Sequence, residues 1–225
     1  MAARLGYEVS KVARLNLPQF LLPAVCFALT ALALLIGPQL WVGAGLLCLC
    51  LIGFWARNFG GSALKDGKLI DVLLYPILPF VLLALVVNHP AGPALLLAGY
   101  LLIETFDSYA LLFGKVFGKR RVFPVLSPNK TLEGLVGGTL MLLMTAAIAS
   151  VLFDDLGPFT AILFALLAGC CAVIGDLTAS RLKRRAGVKD FPVLAVRFGG
   201  ALDHFDGWIV FGAGISICLL LGFTF

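Results

Sequence analysis

Residues 158–177 read PFTAILFALLAGCCAVIGDL, and residues 178–190 continue TASRLKRRAGVKD. The first stretch holds one charge, Asp176, close to its end. As an α-helix rising 1.5 Å per residue it covers about 30 Å, the hydrocarbon thickness of a bilayer. The second stretch holds Arg181, Lys183, Arg184, Arg185 and Lys189. An apolar run that turns abruptly basic is a membrane helix emerging on the side where cationic loops collect, the cytoplasm.

Working outward, further apolar runs lie near 20–36, 40–56, 69–87, 94–113, 134–153 and 207–225. The run at 40–56 is short. All 17 lysines and arginines then fall on one side of a single topology. Arg4, Lys11 and Arg14 precede the first run. Arg57, Lys65 and Lys68, then Lys115, Lys119, Arg120, Arg121 and Lys130, fill alternate loops. Arg197 joins the last basic loop, whereas the opposite loops at 37–39, 88–90 and 153–156 carry no lysine or arginine. The expected fold class is all-α: a polytopic transmembrane helical bundle of about seven spans, with its N-terminus cytoplasmic and its C-terminus outside. Residues 1–225 read as a single integral membrane domain.

Composition supports that class. The chain is 61% hydrophobic and 13% charged, with a mean hydropathy of +1.05; a soluble domain carries about a quarter charged residues. Spanning segments must satisfy their backbone internally, and the alternating strands of a barrel are missing from the pattern. Residues 1–17 place Arg4, Glu8, Lys11 and Arg14 at helical spacing beside Leu5, Val9, Val12 and Leu15. They fit either an amphipathic interfacial helix or a short frayed tail. No secretory signal is recognisable there. The cysteines (Cys26, Cys48, Cys50, Cys170, Cys171, Cys218) all lie in apolar runs with no Cys-x-x-Cys spacing, and read as small packing residues.

Acids near the basic loops carry the chemistry. Glu104 and Asp107 share one face near the cytoplasmic end of the fourth run; for Glu104 an ordinary interfacial position is an equal reading. Asp176 ends the sixth run, and Asp203 and Asp206 open the seventh. Ionisable groups in membrane segments are costly and mark function or a wet cavity. Three carboxylates from two helix ends suit an oxygen-ligand site for Mg2+. Around them stand two basic, glycine-bearing segments, 114–134 and 180–190. Part of that charge simply sets topology and meets anionic lipid, Arg120, Arg121 and Arg185 above all. Cations, carboxylates and glycines together are what phosphoryl chemistry requires. Ser127-Pro128 reads as a helix start, serine capping and proline first, with free N–H groups for a phosphate. Gly114 to Lys119 does not have P-loop spacing. Gly134, Gly137 and Gly138 suit close helix packing, and Gly199-Gly200 a close approach of backbone to phosphate.

These segments resemble the integral-membrane phosphatidate cytidylyltransferases, also called CDP-diacylglycerol synthases. One signature of that family, D-x-x-A-Y-x-x-G-[KR]-x-F-G-K followed by S-P-x-K-T-x-E-G, is matched by Asp107, Ala110, Gly114, Lys115, Phe117, Gly118 and Lys119, then Ser127, Pro128, Lys130, Thr131, Glu133 and Gly134. The other, S-x-x-K-R-x-x-x-x-K-D then H-G-G-x-x-D-R-x-D, is matched by Ser180, Lys183, Arg184, Lys189 and Asp190, then Gly199, Gly200, Asp203 and Asp206. Gly175-Asp176 fits the preceding G-D pair. The likeness covers about residues 100–210, the expected catalytic region. The chain departs from it at Phe198 (histidine in the family), His204 (arginine), Val196-Arg197 (Pro-Gly) and Leu111 (tyrosine), and is shorter at its amino-terminal end. These departures bear on the lipid substrate more than on metal chemistry.

The resemblance implies attack of a phosphatidate oxygen on the α-phosphorus of CTP, giving CDP-diacylglycerol and pyrophosphate in phospholipid biosynthesis. It implies Mg2+, with or without a monovalent cation, on Asp176 and Asp203, and with Asp206 as a further ligand or a partner behind them. Lys130, Ser127 and Thr131 would hold CTP phosphates. Lys183, Arg184 and Lys189, the last oriented by Asp190, would hold the lipid phosphate or pyrophosphate, with Gly199 and Gly200 close by. Asp176, Asp203, Lys130 and Lys189 would carry catalysis. The implied partners are CTP, phosphatidate or a related lipid phosphate and membrane lipids, with no nucleic acid; the chain acts alone or as a homodimer. A bacterial inner membrane, with the site on its cytoplasmic face, is the expected location. Two other readings stand beside this one: transfer to a different lipid phosphate, and a non-enzymatic chain, either an inactive paralogue or a transporter. Clustering of charge at one face argues against transport, which needs groups at mid-membrane.

Overall fold

A computed structural model of the protein describes residues 1–13, 18–36, 72–124, 126–153, 156–192 and 199–223. Helix α1 spans Ala2–Ala13 and α2 spans Leu21–Ile36. A π-helical turn at Leu73–Ile77 leads into α3 (Leu78–Val87), then α4 (Gly92–Phe117). A hairpin of β1 (Arg121–Phe123) and β2 (Ser127–Thr131) precedes α5 (Leu132–Leu152), α6 (Pro158–Arg185) and α7 (Ala201–Leu220). Among the described residues, α4, α5, α6 and α7 are long and apolar enough to cross a membrane, while α2 and the segment Leu73–Val87 are shorter apolar helices. The expected span at 40–56 lies outside the described residues.

Each long helix begins where the chain gives it a start. α4 and α6 carry proline in their first turn, where the missing N–H has no helical partner to lose. Lys183, Arg184 and Arg185 close α6 and complement its dipole. Tyr75 leaves the helical region at φ −150°, ψ 126°, beside Pro76. The expected run 69–87 is therefore broken there.

The long helices pack in alternating directions. Along α4 and α5, Gly134 faces Ala110 and Gly138 faces Phe106. Along α6 and α7, Gly175 faces Asp206 and Gly214 faces Leu167. A Cβ on Gly138 would stand 2.9 Å from the Phe106 carbonyl oxygen, so glycine is what lets these helices touch. Phe106, Leu142, Ala165, Ala168, Ala172, Phe211 and Ile215 form the shared core. Outside it, Leu101, Leu140, Ile148, Val151 and Phe159 are exposed, an apolar exterior that suits lipid rather than water. The alternation gathers the C-termini of α4 and α6, the hairpin and the N-termini of α5 and α7 at one end.

Two local expectations are corrected here. Ser127-Pro128 does not start a helix: it lies in β2, which pairs antiparallel with β1 (Arg121 opposite Thr131, Phe123 opposite Ser127). The helix starts at Leu132, and Thr131 caps it, its Oγ1 accepting from Gly134 N at 3.2 Å. Glu133 Oε2 accepts from Lys119 N at 3.0 Å and Arg120 N at 3.2 Å, and Leu132 N donates to Arg120 O at 2.8 Å. Those bonds draw the preceding chain alongside and favour a ribbon. Pro128 is tolerated because a two-stranded ribbon has open edges. The second correction concerns α1. It is amphipathic, burying Leu5, Val9 and Val12, but Glu8 turns inward and is fully buried.

Candidate functional site

A cavity of about 350 Å³ opens at the charged end of the bundle, between α4, β2, α5, α6 and α7. Glu104, Asp107, Asp176, Asp203 and Asp206 line it. Among the described residues Lys130 is its only lysine or arginine. Ser127, Asn129 and His204 supply neutral or titratable donors and acceptors. The fold thus unites residues from 104 to 206, most of which the sequence singles out.

Lys130 and Asp176 form its centre. Lys130 Nζ lies 3.0 Å from Asp176 Oδ2. The two atoms are buried, yet neither has a hydrogen-bond partner: charge attracts them, but the angles are not those of a hydrogen bond. Asp206 is buried, its Oδ1 accepting from Gly207 N at 2.6 Å. Asp107, Asp176 and Asp206 lie close enough for their charges to interact, with Lys130 among them. Gly175 explains the closeness. A Cβ there would stand 2.5 Å from the Asp206 carbonyl, so the backbones of α6 and α7 nearly touch beside the two carboxylates.

Asp203, expected as a metal ligand, has both oxygens engaged. Its Oδ1 accepts from Lys183 Nζ at 2.6 Å, and its Oδ2 accepts from Phe191 N at 2.9 Å and Gly200 N at 3.0 Å. It is therefore a cap and an ion-pair partner at the start of α7. Lys183, expected to meet a phosphate, is 9% exposed and paired with Asp203. Ala201 N and Leu202 N donate to Glu8 at 2.8 Å and 2.9 Å. The amides beside Gly199-Gly200 thus meet carboxylates of this chain where a phosphate was expected.

The remaining candidates divide clearly. Ser127 and Lys130 line the cavity. Thr131 also lines it, with its hydroxyl oxygen occupied as the α5 cap. Arg184, in the last turn of α6, and Lys189 and Asp190, beyond its end, are exposed and do not line the cavity; Arg184 Nη1 reaches Val188 O at 3.4 Å. His204 Nε2 lies 3.3 Å from Tyr100 Oη, beside Phe205. Val196, Arg197 and Phe198 lie outside the described residues. The sequence gives no site role to Asn129 or to the pair Arg4–Glu8. Asn129 sits visibly within the motif, but Glu8 meets partners almost two hundred positions away and has no local signature.

Mg2+, implied by the resemblance, can be tested against this donor set. The carboxylates are hard oxygen donors, and Asp176 Oδ2 is a buried oxygen without a hydrogen bond. Among the described residues no three His, Cys, Asp or Glu side chains form a ready metal cage. Asp176 and Asp206 are the carboxylates that would offer oxygens to such an ion, and Mg2+ generally keeps several waters beside one or two carboxylates.

Fold and site together define a multi-helix membrane protein with an acidic, lysine-centred cavity at one end. Among known sequences, the model of the cytidylyltransferase family matches residues 3–221. The chain belongs to the cytidylyltransferase family. It is 36% identical over 148 residues to the uncharacterized protein YnbB of Escherichia coli (strain K12), covering 66% of this chain and 50% of that one. It is 32% identical over 126 residues to the phosphatidate cytidylyltransferase of Staphylococcus saprophyticus, and 36% identical over 127 residues to that of Staphylococcus aureus (strain COL). Each of those matches covers 56% of this chain and 48% of the relative. The chain spans about half the length of the curated relatives it matches.

Proposed function

We propose that this protein transfers the cytidylyl group of CTP to phosphatidate, giving CDP-diacylglycerol and pyrophosphate, at the cytoplasmic face of a bacterial inner membrane. The observation that carries the reading is the acidic cavity with Lys130 at its centre, set at the basic end of a membrane bundle in a cytidylyltransferase-family chain.

An oxygen of the lipid phosphate forms a bond to the α-phosphorus of CTP, and the bond from that phosphorus to the α–β bridging oxygen breaks. The nucleophile is already an anion, so no protein nucleophile is needed; alignment and charge neutralisation supply the catalysis. Lys130 offers its ammonium to the CTP phosphates once it leaves Asp176, and Ser127 and Asn129 add neutral donors. Asp176 and Asp206 would hold Mg2+, which when bound neutralises phosphate oxygens and keeps two anions together. Asp203 fixes Lys183 and the start of α7. Exposed Arg184 and Lys189 meet the lipid phosphate or departing pyrophosphate, with Asp190 beside them.

A second acceptor class has one specific support. His204 lines the cavity where the family has arginine, so a fixed positive charge is replaced by a titratable ring tied to Tyr100. That change favours a lipid phosphate other than phosphatidate. Purified protein with Mg2+, labelled CTP and phosphatidate is expected to release pyrophosphate and form CDP-diacylglycerol. Release only with another lipid phosphate selects the second acceptor, and release with none rejects the enzyme.

A further inference from the structure

We infer that Glu8 is a positioning residue for the transfer site: α1 delivers a buried carboxylate to the first amides of α7 and so fixes where Asp203 and Asp206 stand. The inference rests on the proposed reaction for its kinetic half only.

The contacts converge on one carboxylate. Glu8 is 0% exposed. Its Oε1 accepts from Arg4 Nε at 2.7 Å and from Ala201 N at 2.8 Å, and its Oε2 accepts from Leu202 N at 2.9 Å. Arg4 also donates through Nη2 to Pro192 O at 2.9 Å, which ties α1 to the chain approaching α7. A buried carboxylate is costly unless paired and hydrogen-bonded. Here the arginine and the positive end of α7 stabilise it.

Gly200 shows how tight the seat is. A Cβ there would stand 2.6 Å from Glu8 Oε2 and would also clash with the Phe191 side chain. The same turn of α7 is also held by Asp203, which accepts from Gly200 N and Phe191 N. Two carboxylates, one from α1 and one from α7 itself, therefore clamp residues 200–202. Asp206 stands one helical turn further on and packs against Gly175. A shift of α7 at its first turn moves Asp203, His204 and Asp206 together.

Glu8→Gln is the direct test, because it keeps shape and loses one acceptor. On labelled CTP and phosphatidate with Mg2+, it is expected to lower kcat on the order of 10–100-fold while both KM values stay within about twofold, since misalignment acts on the reacting geometry. Amide hydrogen exchange across 199–203 is expected to quicken in the same variant. Gly200→Ala attacks the contact from the opposite side and is expected to reproduce both changes. Arg4→Gln, a milder lesion, serves if neither variant is recovered folded, and Lys11→Ala on the exposed face of α1 is expected to leave both readouts as they are. Wild-type kcat in Glu8→Gln overturns the inference, as does a rise in KM alone. If the wild type itself releases no pyrophosphate, the proposed reaction has failed; exchange then decides the clamp separately, and unchanged exchange in both variants overturns it.

Discussion

Lys130 Nζ and Asp176 Oδ2 approach to 3.0 Å in a buried setting without completing a hydrogen bond. Opposite charges that close, without a completed hydrogen bond, would be ready to exchange partners for the phosphate and counter-ion of the proposed reaction. Both groups face a cavity in which carboxylates outnumber cations, so the pair is held by its surroundings as much as by its own attraction. Asp176→Asn removes one side of that exchange. It is expected to cut pyrophosphate release on the order of 10–100-fold, the usual cost of weakening a metal site, with an unchanged elution profile in detergent. Retention of more than half the activity sinks the assignment.

Gly175→Ala tests the helix crossing rather than the chemistry. The added methyl would meet the Asp206 backbone at 2.5 Å, and neither backbone can turn aside as a flexible side chain would. Separation of α6 from α7 is expected to cost about 1–3 kcal/mol, the range for overpacking, and to lower activity by parting Asp176 from Asp206. Thermal unfolding in detergent reads the first effect and pyrophosphate release the second. A variant as stable and active as the parent means that the helices are free to shift.

How far the sequence reveals this site depends on the range of each contact. The apolar runs at 94–113, 134–153, 158–177 and 207–225 become α4 to α7 because burial of the backbone in lipid leaves few alternatives to helix. Asp107, Lys130, Asp176 and Asp206 meet because those helices alternate in direction, which the basic loops foretell. Ser127-Pro128 misleads because the two residues that look like a cap also suit a ribbon edge; the deciding bonds run from Glu133 back to Lys119 and Arg120. Asp203 carries a family signature, yet its oxygens go to Gly200, three residues back at capping-box spacing, and to Lys183 and Phe191, two partners no spacing rule identifies. Glu8 reads as one more charge on an amphipathic face, since its backbone partners leave no mark on the sequence around it.

The corrected start of α5 yields its own test. Thr131→Val keeps the β-branched shape and deletes the oxygen that accepts from Gly134 N. Loss of an N-cap of this kind costs about 1 kcal/mol, visible as a lower melting temperature, whereas Thr131→Ser is expected to keep most of the stability. Equal melting of all three proteins would show that the cap contributes nothing. Ser127→Ala, by contrast, is expected to leave melting unchanged, because Ser127 lies in β2 rather than at a helix start.

Chelation addresses the charge balance of the cavity. Glu104, Asp107, Asp176, Asp203 and Asp206 face it against Lys130, so a triphosphate entering alone meets repulsion that Coulomb's law puts at several kcal/mol for each close pair at an effective dielectric of about 20. In the proposed reaction a cation would offset that repulsion. Treatment with EDTA is expected to abolish pyrophosphate release, and excess Mg2+ to restore it. If Asp206 is one of the holders, Asp206→Asn is expected to need roughly tenfold or more Mg2+ for half-maximal rate, in line with the 10–100-fold losses seen when a metal site is weakened. Lys183→Ala acts elsewhere, through Asp203, and is expected to lower the rate without changing that Mg2+ requirement. Full turnover in EDTA would mean that protein cations alone bring the two phosphates together, and the roles given to Asp176 and Asp206 would fall with that result.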